Sequence, residues 1–526
     1  MEKTTSSLET NSGNVSQQEK TARRSSNQYT TIPVVLETLS WPYHEPLALY
    51  RHLAHRFGDE AVYLLEAMNG PQRVARYAYI GFDPLLHVRF RGSTLELNGN
   101  AQVTALISER LANEGLVCQH GAHSRLEGQT KPWDVLRFIG KAFDVTPRPG
   151  VGQFVFGWFG YFGYDAVRYI ETLPERIPRT DESPDIELTL YRGVACCDRA
   201  LETVRVVVAN QPGLWSDSPM ADAPEPSDET DSIESINMAL EIEADEIRGT
   251  MRRDDYLAAV GIAKEHILRG DIYQIQIGHA IQVCSKASPL DVYRRLRIRN
   301  PSPFMYYAPV KGGYLIGASP ELHVRVADST VTMRPIAGTA PRGENAIDDQ
   351  QSIEKMRQSE KEIAEHIMLV DLARNDLARI CAPGSLRVDE LMVTESYSHV
   401  HHLVSGVSAL LEEGRDIYDV MMATFPAGTM TGAPKVRAME IIEDLEATQR
   451  GPYAGAVGLI DFGGFGEMAL CIRSMSYQNG EYTLRASAGI VYDSVPVREW
   501  EETLHKMSAP FWAVTGKELG HARLAD

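Results

Sequence analysis

Residues Tyr453–Tyr492 read YAGAVGLIDFGGFGEMALCIRSMSYQNGEYTLRASAGIVY, and this stretch decides the fold class. Within it Tyr453–Ile460, Met468–Tyr477 and Tyr482–Tyr492 read as three successive strands. Upstream, Tyr256–Arg269 and Lys355–Arg379 carry apolar residues at helical spacing, so the second half is α+β with antiparallel pairs. From Ile32 to about Val208 apolar runs alternate with turn signals. Among them Gly152–Asp165 (GQFVFGWFGYFGYD) reads as a buried strand pair whose glycines permit close backbone approach. Between Gln211 and Ile247 the chain turns acidic and rich in Pro and Ser, the composition of a solvated linker. The expected organisation is a disordered tail (1–30), an N-terminal region (31–210), an acidic linker or insertion (211–250) and a second region (251–526).

The composition excludes several classes. A formal charge of -19 with no Lys/Arg run repels a phosphate backbone, so no nucleic acid is expected as partner. An anionic metabolite would need a metal or a few cations placed inside its pocket. No apolar run of about 18 residues occurs and the first residues hold no apolar segment, so no membrane contact and a cytoplasmic location are expected. The six cysteines form no CxxC pair and are given no chemistry.

Chemistry is suggested by paired carboxylates. In Lys361–Asp376 (KEIAEHIMLVDLARND) Glu362 and Glu365 share a helix face, with Ile363, Ile367 and Val370 placed to face the core. One such pair usually marks a solvated face. Glu499 and Glu502 repeat the spacing on a second helix after Pro496, and two pairs can converge on one hard cation with oxygen ligands. Phe425–Arg437 (FPAGTMTGAPKVR) has small residues before a Lys but lacks GxxxxGK[ST], which rejects a nucleotide-binding module. In Tyr397–Ser405 (YSHVHHLVS) a strand would point His399 and His401 to one face and His402 to the other, which suits a single proton-transfer His better than a metal site.

Taken in order, LLEA (Leu64–Ala67), NPSPFMYY (Asn300–Tyr307), RPIAGT (Arg334–Thr339), KEIAEHIMLVDLARND, FPAGTMTGAPK and SAGIVYDSVPVREWEET (Ser487–Thr503) resemble the chorismate-utilising enzymes, specifically anthranilate synthase component I. The resemblance implies an α+β fold of two packed antiparallel β-sheets flanked by helices, with the active site between them. It implies Mg²⁺ held by Glu365 and Glu502, with Glu362 and Glu499 close by. It implies chorismate bound by Gly338, Thr339, Tyr453, Arg473, Lys506 and the backbone of Ser487, Ala488 and Gly489. His402, Thr339, Glu362 and Glu499 are the implied catalytic residues.

In that family ammonia adds at C2 of the ring as the C4 hydroxyl leaves, after which loss of the C2 proton and pyruvate gives anthranilate. His402 would protonate the departing hydroxyl or assist the elimination; the residues leave both open. Water-using relatives carry a Lys base where GDIYQIQIG here has Gln274, and relatives that aminate at C4 often carry PIKGT where this chain has Ala337. A synthase that stops at aminodeoxyisochorismate shares almost every motif. The chain has no Gly-x-Cys-x-Gly nucleophile turn, so a separate glutamine amidotransferase subunit is expected to supply ammonia.

The same resemblance implies a tryptophan effector site at Glu66, Ala67, Pro303, Phe304 and Met305. Three positions depart from the family: Ala67 replaces a Ser, Phe304 a Tyr, and Leu459 stands where GAVGY would place another Tyr. Weak or absent feedback is expected, as suits a route to a secondary metabolite.

Overall fold

The computed structural model describes residues 30–70, 76–120, 123–146, 153–179, 182–215, 244–397 and 400–521. Two long strands, Tyr77–Arg91 and Ile186–Asp198, run antiparallel along each other and take part in two sheets. Up to Phe82 the first pairs with Val62–Glu66, and beyond Leu86 with Thr94–Gly99. The second pairs through Ile186–Leu190 with Gly157–Phe162, and through Gly193–Asp198 with Thr203–Asn210. A bulge between Pro84 and Leu86, beside Asp83 at φ 59°, lets the pair turn from one sheet to the other.

The first sheet continues from Val62–Glu66 through Phe304–Val310, Gly313–Ser319, Ser474–Gln478 and Glu481–Ile490 to Gln274–Ser285. The second continues from Gly157–Phe162 through Ala456–Asp461, Gly466–Leu470, Leu322–Ala327 and Thr330–Met333 to Val400–Leu410, which also pairs with Ile336–Pro341 and Arg387–Ser396. These pairs are antiparallel, as the sequence predicts; Ile32–Trp41 with Phe143–Thr146 is parallel.

The first sheet is buried on both faces, and alternation sorts its side chains. Phe304, Tyr306 and Ala308 join the core shared with the second sheet, where Tyr63 stacks on Phe159 with ring centroids 3.6 Å apart. Met305 and Tyr307 point the other way, into a layer formed with the helices Pro46–Phe57, Pro289–Arg299 and Pro496–Thr515. Each fully buried large side chain of this kind contributes about 1.5–3 kcal/mol.

Four local expectations change. Gly152–Asp165 supplies one strand, Gly157–Phe162, followed by a 3₁₀ turn, because the Gly163 and Tyr164 amides leave the ladder to donate to Asp185 O and Gly451 O. The close approach is real: a Cβ on Gly157 or Gly160 would lie 2.1 Å from a neighbouring carbonyl oxygen. Lys355–Arg379 is two helices, Ala346–Gln358 and Glu360–Ala378, parted at Ser359, whose hydroxyl caps the second by accepting from Glu362 N. On that helix Val370 is buried with His366, Leu369 and Ala373, whereas Ile367 is exposed. Met468–Tyr477 is two strands, because the chain leaves the second sheet at Leu470 and enters the first at Ser474.

That crossing runs beside another at Ser319–Leu322. The two are tied by Ala318 N to Arg473 O (3.1 Å) and Leu470 N to Glu321 O (3.0 Å). The tail and residues 216–243 of the linker lie outside the described residues, but the regions on either side of the linker share strand pairs, Met305 opposite Glu66 and Ala456 opposite Phe162. No helix among the described residues is long and apolar enough to cross a membrane.

Beneath the inner face of the first sheet, the Glu446 carboxylate is buried between Arg450 (2.7 Å) and Arg485 (2.6 Å) and accepts from Gly278 N. Glu446→Ala would strand two buried guanidinium groups. The expected loss is about 3–5 kcal/mol, read as a lower urea midpoint at unchanged m-value.

Candidate active site

One wall of the pocket is the strand pair Gln274–Ser285 and Glu481–Ile490, in register with Gln276 opposite Gly489 and Gly278 opposite Ser487. The Tyr453 hydroxyl lies 2.8 Å from Ser487 Oγ, which donates to Gln276 Oε1 at 2.9 Å, so Tyr453 is the donor to Ser487. A Cβ on Gly489 would sit 3.0 Å from the amide nitrogens of both Gln274 and Gln276; glycine there leaves these two side chains room against the backbone. The Ala488 side chain is buried in the helix layer, so the pocket is offered only its backbone.

The Pro496–Thr515 helix closes this wall. Lys506 Nζ donates to Ser487 O (2.9 Å) and pairs with Glu502 (2.7 Å). Arg473 stands at the sheet crossing in the left-handed region, φ 51°, and its Nη1 donates to Lys506 O (3.1 Å). Burial lowers the pKa of this guanidinium, and among the described residues it forms no ion pair. The guanidinium is half-buried, and Glu502 is the carboxylate whose field reaches it.

The opposite wall is the pair Ile336–Pro341 and Val400–Leu410, with Thr339 opposite His402. A bulge between Ala337 and Thr339 places Gly338 at φ 76°. His402 Nδ1 lies 3.2 Å from Gly338 O and 3.1 Å from Thr339 Oγ1. The carbonyl can only accept, so Nδ1 carries the proton. Burial, with Arg473 adding to it, lowers the His402 pKa; the neutral ring then presents Nε2 as a base. His401 faces away and is held by Ser396 Oγ and Asp349, while His399 lies outside the described residues.

The carboxylate helices meet across this pocket. Glu362 Oε2 reaches within 3.4 Å of where a Gly338 Cβ would stand. Burial raises the pKa of Glu365, and Glu362, Glu502 and Glu499 add to the rise although Lys361 opposes it. Glu499 is raised by burial and by Glu502, against a hydrogen bond from Ser494. Each of the four therefore stands in the field of another carboxylate, with Lys361 (3.7 Å from Glu365) and Lys506 as partial compensation. Among the described residues no three acidic, His or Cys side chains close into a ready cage.

Two features escape sequence reading. Glu321, beside the crossing, lines a cavity of about 30 Å³ with Thr429 and Leu470. Burial lifts its carboxyl to about 8, with Thr429 Oγ1 (3.3 Å) and Lys506 pulling the other way. Gln276 is the second, a hydrogen-bond relay rather than an isolated strand polar. Neither has a spacing signal, since each acquires its surroundings from distant strands. The small-residue stretch before Lys435 serves packing: a Cβ on Gly428 would lie 1.7 Å from Leu372, and Lys435 donates to Asp376 (2.9 Å) and Thr424 O.

Of the expected effector residues, Glu66, Ala67, Pro303 and Phe304 line one small cavity together with Tyr77, Tyr79 and the Arg325–Glu467 pair. The Glu66 carboxylate is engaged by Arg297 (2.7 Å) and the Tyr293 hydroxyl (2.6 Å), and Met305 is buried in the helix layer. Leu459 is fully buried in the shared core.

Residues 92–511 match the family model described as chorismate binding enzyme. The 2-amino-4-deoxychorismate synthase of Streptomyces globisporus is 44% identical over 492 residues, covering 90% of this chain and 95% of that protein. Anthranilate synthase component 1 of Pseudomonas putida is 35% identical over 525 residues, covering 94% and 97%. The crystal structure of anthranilate synthase component I from Streptococcus pneumoniae TIGR4 superposes with a TM-score of 0.68 at 28% identity, over 83% of this chain and 92% of that one.

The raised Glu321 pKa has a measurable sign. Between the ordinary value of 4.5 and about 8 the folded chain holds a proton that the unfolded chain has lost. Stability contributed below that window is therefore lost as pH rises through it, by at most about 1.4 kcal/mol per unit. Glu321→Gln should flatten the profile between 4.5 and 8 in urea titrations; an unchanged slope contradicts the assignment.

Proposed function

The chain belongs to the family of chorismate-binding enzymes, and from that premise we propose that it aminates chorismate at C2 with ammonia and releases the aminated ring. The single observation that carries amination is the pair of amides at Gln274 and Gln276. A side-chain amide cannot take a proton at neutral pH, so this wall offers no base to activate water, whereas ammonia is already a nucleophile. Ala337 in place of a nucleophilic Lys favours C2 over C4. Chorismate plus ammonia then gives water and a ring with nitrogen at C2 and no oxygen at C4. That compound is 2-amino-4-deoxychorismate, equally named 2-amino-2-deoxyisochorismate.

Release of that product is supported by the 44% identical relative. The second reading is anthranilate synthase component I, which goes on to eliminate pyruvate. It is supported by the component 1 relatives and by His402, whose free Nε2 suits removal of the C2 proton. In both, Arg473 and Lys506 would receive carboxylates of the dianionic substrate, and Gly338 and Thr339 would border the ring. Mg²⁺ would be held by Glu365 and Glu502, with Glu362 and Glu499 acting through water, a reading supported by the mutual field of these carboxylates; when bound it would supply positive charge against the substrate carboxylate. Ammonia would come from a glutamine amidotransferase subunit, as the words component 1 in the relatives' names suggest.

Incubation with chorismate, Mg²⁺ and ammonium salt separates the readings. An aminated product that retains the pyruvyl ether supports release, anthranilate fluorescence with stoichiometric pyruvate supports the second reading, and isochorismate would defeat both. Glu365→Gln and Glu502→Gln should each weaken the apparent Mg²⁺ affinity by about 10- to 100-fold with the melting temperature retained; unchanged Mg²⁺ dependence in both removes the metal assignment.

We propose too that tryptophan inhibits weakly. Glu66 is occupied by Arg297 and Tyr293, and Ala67, Phe304 and Leu459 lack the hydroxyls of the family pattern. One missing polar partner costs about 1–3 kcal/mol, or roughly five- to hundredfold in affinity. Titration of tryptophan against ammonia-dependent turnover should show this weakening, and half-inhibition at low micromolar tryptophan would contradict it.

A further inference from the structure

On the face of Gln274–Ser285 turned away from Gln276 and the pocket, His279 packs beneath the Pro496–Thr515 helix, with 1% of its surface exposed. Its ring stacks on Trp500, with centroids 4.3 Å apart and planes 11° apart, and Tyr256 meets both rings edge-on. Its Nε2 lies 2.8 Å from Thr503 Oγ1. Thr503 commits its one hydroxyl proton to Trp500 O (2.7 Å), so His279 Nε2 is the donor and Thr503 the acceptor. Nδ1 is then a buried acceptor that finds no hydrogen-bond partner among the described residues. Phenylalanine would fill the same space without stranding a polar atom. Packing alone therefore does not account for a histidine here, whereas the bond to Thr503 does.

Trp500, Thr503 and Met507 are buried on that helix, and Glu499, Glu502 and Lys506 form the stripe one residue earlier, about 100° round the axis. The two stripes turn together. A rotation of about 10° displaces a group about 6 Å from the axis by roughly 1 Å. Mg²⁺ tolerates little of this, because it demands near-octahedral geometry. Lys506 also ties the helix to the sheet, at Ser487 O, but its ammonium is shared with Glu502. The His279 contact involves neither carboxylate. We propose that His279 is a positioning residue: stacked on Trp500 and bonded to Thr503, it sets the rotation of the helix and with it the placement of Glu499 and Glu502 against Glu365. The inference rests on the proposed Mg²⁺ site.

His279→Phe keeps an aromatic ring on Trp500 and removes the donor, and Thr503→Val removes the acceptor without touching the stack. Mg²⁺ is titrated calorimetrically into the full chain. Each variant should raise the Mg²⁺ Kd about tenfold at a retained melting temperature, and Thr503→Val carries the test alone should His279→Phe fail to fold. The double variant should bind no more weakly than either single one, because all three lack the same bond. Independent effects would instead multiply to about a hundredfold and overturn the shared bond as their cause. A wild-type Mg²⁺ Kd in either variant assigns His279 to packing and overturns the positioning role, whether or not the melting temperature falls. A Kd that Glu365→Gln and Glu502→Gln leave untouched overturns the metal reading itself, and the inference with it.

Discussion

A single buried carboxylate holds the site's frame together. Glu446 accepts from Gly278 N on one strand, from Arg485 on its neighbour and from Arg450, whose other nitrogens donate to Met430 O and Gln276 O. Arg485 in turn fastens the 448–453 turn through Thr448 and Gln449 carbonyls. One anion and two guanidiniums thus lock two strands, the turn that carries Tyr453 and the turn before Lys435 into one rigid body. Buried networks of this kind cost desolvation and return positional precision through the donors they satisfy; here Arg485 Nε alone of these guanidinium nitrogens finds no acceptor among the described residues. Tyr453, Ser487 and Gln276 inherit their spacing from it.

Above that frame the electrostatics are deliberately unbalanced. The chain carries a charge of -19, yet its pocket has to accept a dianion. Arg473 supplies one cation that, among the described residues, forms no ion pair within 4 Å. Lys506 is committed to Glu502, and its commitment is conditional: a divalent cation that takes Glu502 would leave Lys506 held by Ser487 O and open to a substrate carboxylate. The raised Glu365 and Glu499 express the same frustration from the acidic side. Binding of cation and substrate would each remove part of the other's penalty, which is the ordinary source of positive coupling between ligands.

The periodic parts of this architecture were legible in the sequence. Glu362 with Glu365, and Glu499 with Glu502, show their spacing because each pair lies on one helix, and the strands of Tyr453–Tyr492 show as short apolar runs bounded by turn residues because most of their side chains are buried. The non-local parts were not. The break at Ser359 is a cap within an otherwise continuous helical pattern, and the turn at Arg473 interrupts an apolar run without Gly or Pro. Glu321 gains its raised pKa from burial under distant segments, against a hydrogen bond from Thr429, and neither the covering residues nor Thr429 is near it in sequence. Gly152–Asp165 misled because its aromatics are all buried, by strand and 3₁₀ turn alike.

Amination and aromatisation are separable demands on one pocket. In the proposed reaction the first would need the ring held against Thr339 and Gly338 while nitrogen approaches C2, and the second a base at the C2 proton afterwards. His402 meets the second electronically, being neutral with Nε2 free, but a base acts only within hydrogen-bond reach of its proton. Its ring is fixed by Thr339, by Gly338 O and by an edge contact with Tyr397, 5.5 Å between centroids. If Arg473 and Lys506 receive the substrate carboxylates as proposed, the fate of pyruvate would depend on where they set C2 relative to Nε2, and a displacement of about 1 Å would be enough to separate the two outcomes in rate by a hundredfold. Chains that share every catalytic side chain can therefore differ in product through the residues that carry Arg473 and Lys506: the left-handed turn at the sheet crossing and the pitch of the Pro496–Thr515 helix against Ser487.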